Sequence, residues 1–170
     1  MATLLSVKFT IQIGGVLLMK CERFNPYDSA KVEPIVDESA RIRSPAYLYT
    51  VFDESSRSYQ IISDNCGIML PYIFRDETLI IGTSSCIYYI DTQERKVIKQ
   101  IEIPSLCMDI CTDNDLIIAI CETDIIFISE HGKTEYNFDD VINEYTLNNG
   151  CLTLSLTDGT RKCIKYIGDK

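Results

Sequence analysis

Short apolar runs separated by short polar breaks recur along most of this chain. Val7, Phe9, Ile11 and Ile13 alternate with Lys8, Thr10 and Gln12, the period of two that marks a strand with one buried face. Gly14-Gly15 offers a two-residue turn into a second apolar run over 16–24, so the pattern predicts an N-terminal β-hairpin. From Ala46 onward, strands are expected at 47–52, 59–62, 68–74, 79–83, 87–90, 97–103, 106–112, 116–121, 125–129, 134–138, 145–147, 151–156 and 162–167. The breaks between them are rich in Asp, Asn, Ser and Gly, residues that turn the backbone at low cost. Regularly spaced short strands of this kind predict an all-β fold, an antiparallel meander.

Residues 25–45 interrupt the rhythm. Asn25, Pro26, Pro34 and Pro45 punctuate a polar stretch without sustained periodicity, which reads as a long loop with one helical turn near 36–42. The chain therefore divides into an N-terminal hairpin (1–24), a linker loop (25–45) and a repeated β-sheet region (46–170), within one compact domain overall.

The segments FRDETLIIGTSSCIYYID, CTDNDLIIAICETDIIFIS and LNNGCLTLSLTDGTRKCIK share an order: polar turn, strand opening near a leucine, second turn, second strand. The anchoring leucines are Leu79, Leu116 and Leu152, spaced by 37 and 36 residues. A period of this length with this content resembles a β-propeller blade. At about 40 residues per blade only three or four fit, at or below the usual lower limit for a closed ring. The expected architecture is an incomplete propeller-like array or an open sandwich. The Gly-His and Trp-Asp signatures of the WD40 type are missing, since the chain has no Trp.

A chain of 170 residues buries enough surface to hold a core without a metal or disulfides. Most of its eight cysteines lie inside apolar runs such as LCMDICT and IAICET, where a thiol behaves as a small hydrophobe, so reduced core cysteines are expected. Cys107 and Cys111 form the only close pair, and no second pair follows to complete a zinc site. No basic segment precedes the first apolar residues, no Asn-x-Ser/Thr sequon occurs, and no stretch approaches the ~20 apolar residues of a membrane span. These features read as a cytoplasmic protein without a membrane partner.

The net charge is −9, which argues against nucleic acid as a partner, because phosphates demand a basic face. Between residues 109 and 144 the chain carries ten acids and a single base, Lys133, a local balance equal to the net charge of the whole chain. Clustered carboxylates repel one another with no gain for the fold, whereas a Lys/Arg-rich partner would turn the same field into steered association. A solvated surface is the competing reading. Asp113 and Asp115 form a D-x-D, but Ile118 and Asp124 stand where a calcium loop needs Gly and Glu, so no metal is expected. Tyr136 and Phe138 lie among these acids as candidate anchors. The candidate partner-binding residues are Asp113, Asp115, Glu122, Asp124, Glu130, Glu135, Tyr136, Phe138, Asp139 and Asp140.

Catalysis has little to work with. His131 is the only histidine and sits in the turn sequence EHGK. There is no G-x-S-x-G elbow, no P-loop and no G-x-G-x-x-G. No catalytic residue and no cofactor is expected. In size, acidity and β content, the chain resembles the immunity proteins of bacterial contact-dependent growth inhibition and related toxin systems. That resemblance implies an inhibitor that covers a basic cognate toxin, such as a nuclease, with its acidic face. The alternative is a propeller-like scaffold, or an oligomeric interaction module, without inhibitory role.

Overall fold

An uninterrupted apolar strand needs apolar cover on both faces, whereas an alternating strand needs it on one. The computed structural model describes residues 9–13, 16–24, 32–42, 45–65, 68–148 and 150–166, and its four sheets are arranged by that rule. Sheet 1 contains β1 (Phe9–Ile13), β2 (Val16–Arg23), β4 (Tyr47–Phe52), β5 (Ser58–Ser63) and the two-residue β3 (Val36–Asp37). Its spatial order is β1-β2-β4-β5-β3. Sheet 2 is β6 (Tyr72–Arg75), β7 (Thr78–Gly82), β8 (Cys86–Asp91) and β9 (Lys96–Glu102), in sequence order. Sheet 3 repeats this with β10 (Cys107–Asp113), β11 (Leu116–Cys121), β12 (Asp124–Ser129) and β13 (Gly132–Asn137). Sheet 4 has three strands, β14 (Ile142–Asn148), β15 (Cys151–Leu156) and β16 (Arg161–Lys165). Every pairing is antiparallel except β3 with β5. The fold is an all-β, open, propeller-like array of four sheets.

The expected hairpin is part of sheet 1, where β2 pairs with both β1 and β4; its turn, Gly14-Gly15, lies outside the described residues. Within the expected linker, residues 35–38 run beside β5 and a 3-10 turn forms at Ser39–Arg41. The observed β6 is shorter than the run at 68–74, because Ile68, Met69 and the two residues after them form no ladder.

The core is three apolar layers between successive sheets. Leu79 and Ile81 of β7 meet Tyr49, Val51, Tyr59 and Ile61 of sheet 1. Their chain neighbour Ile80 points the other way, with Ile87, toward Ile117, Ala119 and Cys121. Ile118 and Ile120 of β11 turn again, toward Leu152, Leu154 and Leu156. That alternation is why LIIAIC and DIIFIS contain almost no polar interior position: each strand lines two layers. β15 reads CLTLSL, with Leu152, Leu154 and Leu156 buried and Cys151, Thr153 and Ser155 facing away, half-buried. The outer side of sheet 4 is therefore the more polar of its two faces.

The sheets are joined by a repeated backbone link. The turn after β7 accepts from the segment leading into sheet 3 (Cys107 N to Thr83 O, 3.1 Å), and the turn after β11 accepts from the segment leading into sheet 4 (Ile142 N to Glu122 O, 2.8 Å). Gly82 makes the first of these approaches close. A Cβ there would stand 2.7 Å from Cys107 Cβ and 3.3 Å from Pro71 Cγ. On the other flank, buried Glu38 receives Thr83 Oγ1 at 2.9 Å, Ser85 Oγ at 2.8 Å and Tyr88 OH at 2.9 Å, all on Oε1. The residues after β3 are thereby fastened to sheet 2.

The cysteines follow two patterns. Cys21, Cys86, Cys107 and Cys121 are buried free thiols and Cys111 is a half-buried one, as expected of small apolar residues. Burial pushes Cys21 and Cys111 up to about 11. Cys151 and Cys163 depart from that expectation. They form a disulfide between β15 and β16 with a Cα–Cα distance of 6.5 Å, because both point to the polar outer side of sheet 4, where the strands bring them together. Cys66 lies outside the described residues.

Two substitutions test this layering. Gly82→Ala should cost roughly 1–3 kcal/mol by overpacking, a fall in Tm of several degrees by calorimetry. Thr153→Lys, on the uncovered face, should shift stability by no more than about 0.5 kcal/mol, although it places a charge in the middle of a strand.

Candidate interaction surface

Ten acids that are close in sequence need not be close in space. A six-residue strand spans about 20 Å, so successive turns of a meander fall at opposite ends of the sheet. The β10–β11 turn carries Asp115 beside Asp113, and the β12–β13 turn carries Glu130, at one end. The β11–β12 turn with Glu122 and the β13–β14 connection with Asp139 and Asp140 lie at the other. Glu135 and Tyr136 stand between the two ends on β13, the outer strand of sheet 3. The expected single acidic face is thus two faces.

At the first end Asp115 has a cationic partner, and the other acids meet neutral donors or lie along β13. Asp115 is paired with Arg75, which also donates to the Asp115 carbonyl at 3.2 Å. Asp113 accepts from Tyr166 OH at 2.6 Å. Glu130 lies 3.4 Å from His131 Nε2, and Glu135 lies 3.3 Å from Lys133 Nζ. A cleft of about 590 Å³ opens here between sheets 2 and 3, lined by Arg75, Tyr89, Lys99, Asp115 and His131 among others. Its charges are mixed, and Lys99 stacks 5.2 Å over the Tyr89 ring.

The second end differs. Glu122 and Asp139 are exposed and have no ion-pair partner among the described residues. Asp140 accepts from Thr157 Oγ1 and from Asp158 N at 2.7 Å, so neutral donors fix its position and leave its charge in place. These bonds hold its carboxyl below the ordinary aspartate range. Beneath them lies Asp124, 1% exposed. It accepts from Ser105 Oγ at 2.6 Å, Thr123 Oγ1 at 2.8 Å and Asn137 Nδ2 at 2.6 Å. One carboxylate therefore ties the β9–β10 connection, the β11–β12 turn and the end of β13 together.

Two expected contact residues are corrected by this placement. Asp124 is buried and organises the acidic end from below. Phe138 is 7% exposed and belongs to the layer between sheets 3 and 4, with Lys162 Nζ 5.3 Å over its ring. Burial follows because the chain turns inward after β13 to start sheet 4, and Phe138 N bonds Thr123 O at 2.9 Å. Tyr136 stays 40% exposed and meets Phe127 edge-on at 5.7 Å. Among the described residues no group of three or more His, Cys, Asp or Glu side chains could hold a metal ion, and no helix is long and apolar enough to cross a membrane.

Sequence reasoning missed Arg161, Lys162 and Lys165, which make β16 a basic outer strand. The signal was present: only three strands fit into the last repeat.

Asp124 allows a pH test. Burial alone would raise its pKa, but the bonds from Ser105, Asn137 and Thr123 outweigh that and lower it. A lowered folded-state pKa adds stability that is present above the unfolded value, about 3.9, and is lost as pH falls through the folded value. Asp124→Asn should lower Tm at pH 7 by several degrees, and the gap to the parent chain should shrink below about pH 4, as followed by thermal melts.

No family model and no curated protein matches the sequence. Among solved structures, the computationally designed Ika4 protein aligns with a TM-score of 0.50 at 12% identity, over 71% of this chain and 80% of Ika4. Sqt1 of Saccharomyces cerevisiae aligns with a TM-score of 0.53 at 11% identity, over 91% of this chain but only 43% of Sqt1. Both likenesses are to propeller-like proteins, and at these identities what they establish is the fold.

Proposed function

We propose that this chain is a non-catalytic protein-binding module that receives a basic partner on the end of sheets 3 and 4 formed by Glu122, Asp139 and Asp140. One observation carries the reading: Glu122 and Asp139 have no ion-pair partner among the described residues, whereas Asp115 and Glu135 are paired with Arg75 and Lys133. Asp124 supports it from below, because a fixed set of charges loses less entropy on binding than a mobile one. In its specific form, the partner is a basic toxin domain, such as a nuclease, and occupancy of the acidic end blocks it. The alternative is a propeller-like scaffold or oligomeric interaction module without inhibitory role, which would self-associate and have no affinity for basic nucleases.

The test is retention of basic proteins on the immobilised chain, eluted with salt. A partner should be held one-to-one and released as ionic strength rises. Glu122→Lys/Asp139→Lys should weaken retention at least tenfold, and Asp115→Lys/Glu135→Lys far less. If both pairs of substitutions reduce binding equally, or nothing is retained at low salt, the assignment fails. Suppression of the eluted partner's nuclease activity by the chain then separates inhibitor from scaffold.

A further inference from the structure

Sheets 2 and 3 each have four strands, and sheet 4 has three. β16 occupies the third position, which β8 and β12 fill elsewhere. Those two strands are almost wholly buried and are covered at their outer edge by β9 and β13. β16 has no partner beyond β15 among the described residues, and four of its five side chains are exposed.

Among the described residues no fourth strand covers β16, and a groove lies beside it. Where a fourth strand of sheet 4 would lie against sheet 3, a cleft of about 480 Å³ opens, with Phe127, Thr134 and Tyr136 on one side and Tyr166 on the other, and Lys165 at its rim. Phe127 and Tyr166 rings stand 5.1 Å apart at its base. The open edge also has hydrogen-bonding capacity. Tyr166 N bonds Gly150 O at 2.9 Å and Leu156 N bonds Thr160 O at 2.9 Å, so even-numbered residues of this hairpin direct their amides toward β15. Pairing direction alternates along an antiparallel strand. Arg161, Cys163 and Lys165 therefore turn their N–H and C=O groups toward the open edge.

We infer that this edge takes an extended segment of a partner protein as its fourth strand, one that alternates apolar and acidic residues. Backbone bonds to Arg161, Cys163 and Lys165 hold such a segment in register. Its apolar side chains enter the groove over Thr134 and Tyr136, and its acidic side chains flank Arg161 and Lys165 on the other face. A second copy of this chain fits poorly. Antiparallel pairing of two β16 strands centred on Cys163 sets Arg161 opposite Lys165 twice, and directly opposed like charges destabilise a sheet. The site is separate from the acidic end, so either assignment can fail without the other.

The experiment is selection of displayed random ten-residue peptides on the full chain, with affinities then read by fluorescence anisotropy. Enriched peptides should alternate apolar and acidic residues. They should lose at least tenfold in affinity for Arg161→Glu/Lys165→Glu, and for Lys165→Pro, which deletes an outward N–H without touching a bond to β15. Circular dichroism checks that each variant keeps its fold, and the charge-reversed chain stands in if the proline variant does not. Failure to enrich, enrichment of lysine-rich peptides, or binders that ignore the charge reversal would overturn the inference. So would concentration-dependent dimerisation of the parent chain that the charge reversal removes.

Discussion

Face-to-face burial between successive sheets is the constraint on which the rest of this structure depends. Each interior sheet gives every other side chain to the layer before it and the remainder to the layer after it. Ile80 and Ile81, adjacent in the chain, belong to different layers, as do Ala119 and Ile120. A fully buried side chain of that size is worth roughly 1.5–3 kcal/mol, so a polar residue at any of these positions is strongly selected against. β15 instead presents one polar side, through Cys151, Thr153 and Ser155. The polar outer face of sheet 4 follows from where the double-faced apolar pattern gives way to an alternating one.

The same constraint decides where function can sit. With both faces of the central sheets buried, what remains for recognition is their ends and outer strands. The ends are turns, rich in Asp and Glu for backbone reasons as well as electrostatic ones; Asp115 at one end is ion-paired, whereas Glu122 and Asp139 at the other have no ion-pair partner among the described residues. Asp124 links the two roles. It is buried structure in its own right, and it positions the turn that carries Glu122.

Much of the fold was legible before any coordinates. Strands 116–121 and 151–156 are observed with the bounds read from the sequence, but the leucine period is out of phase: Leu79 and Leu152 face the preceding sheet, whereas Leu116 faces the following one. Local alternation carries that information. Sheet membership does not show locally, which is why the N-terminal hairpin looked separable although it pairs with β4. The site was legible only as composition. The acidic excess of residues 109–144 was plain, but its division between two ends depends on strand length and turn order. The burial of Phe138 depends on where the chain crosses to the next sheet. A cysteine's alternation shows which face it takes, but the Cys151–Cys163 bond also needed the register of β15 on β16.

Residue-resolved hydrogen exchange on the isolated chain tests the layered, open-ended array most directly. Amides of β11 and β12 should exchange only through global unfolding, since both their faces are covered. Within β16, Lys162 and Ile164 should be protected while Arg161, Cys163 and Lys165 exchange rapidly. Equal protection at all five positions would mean that the edge is already paired, and the open array described here would be wrong.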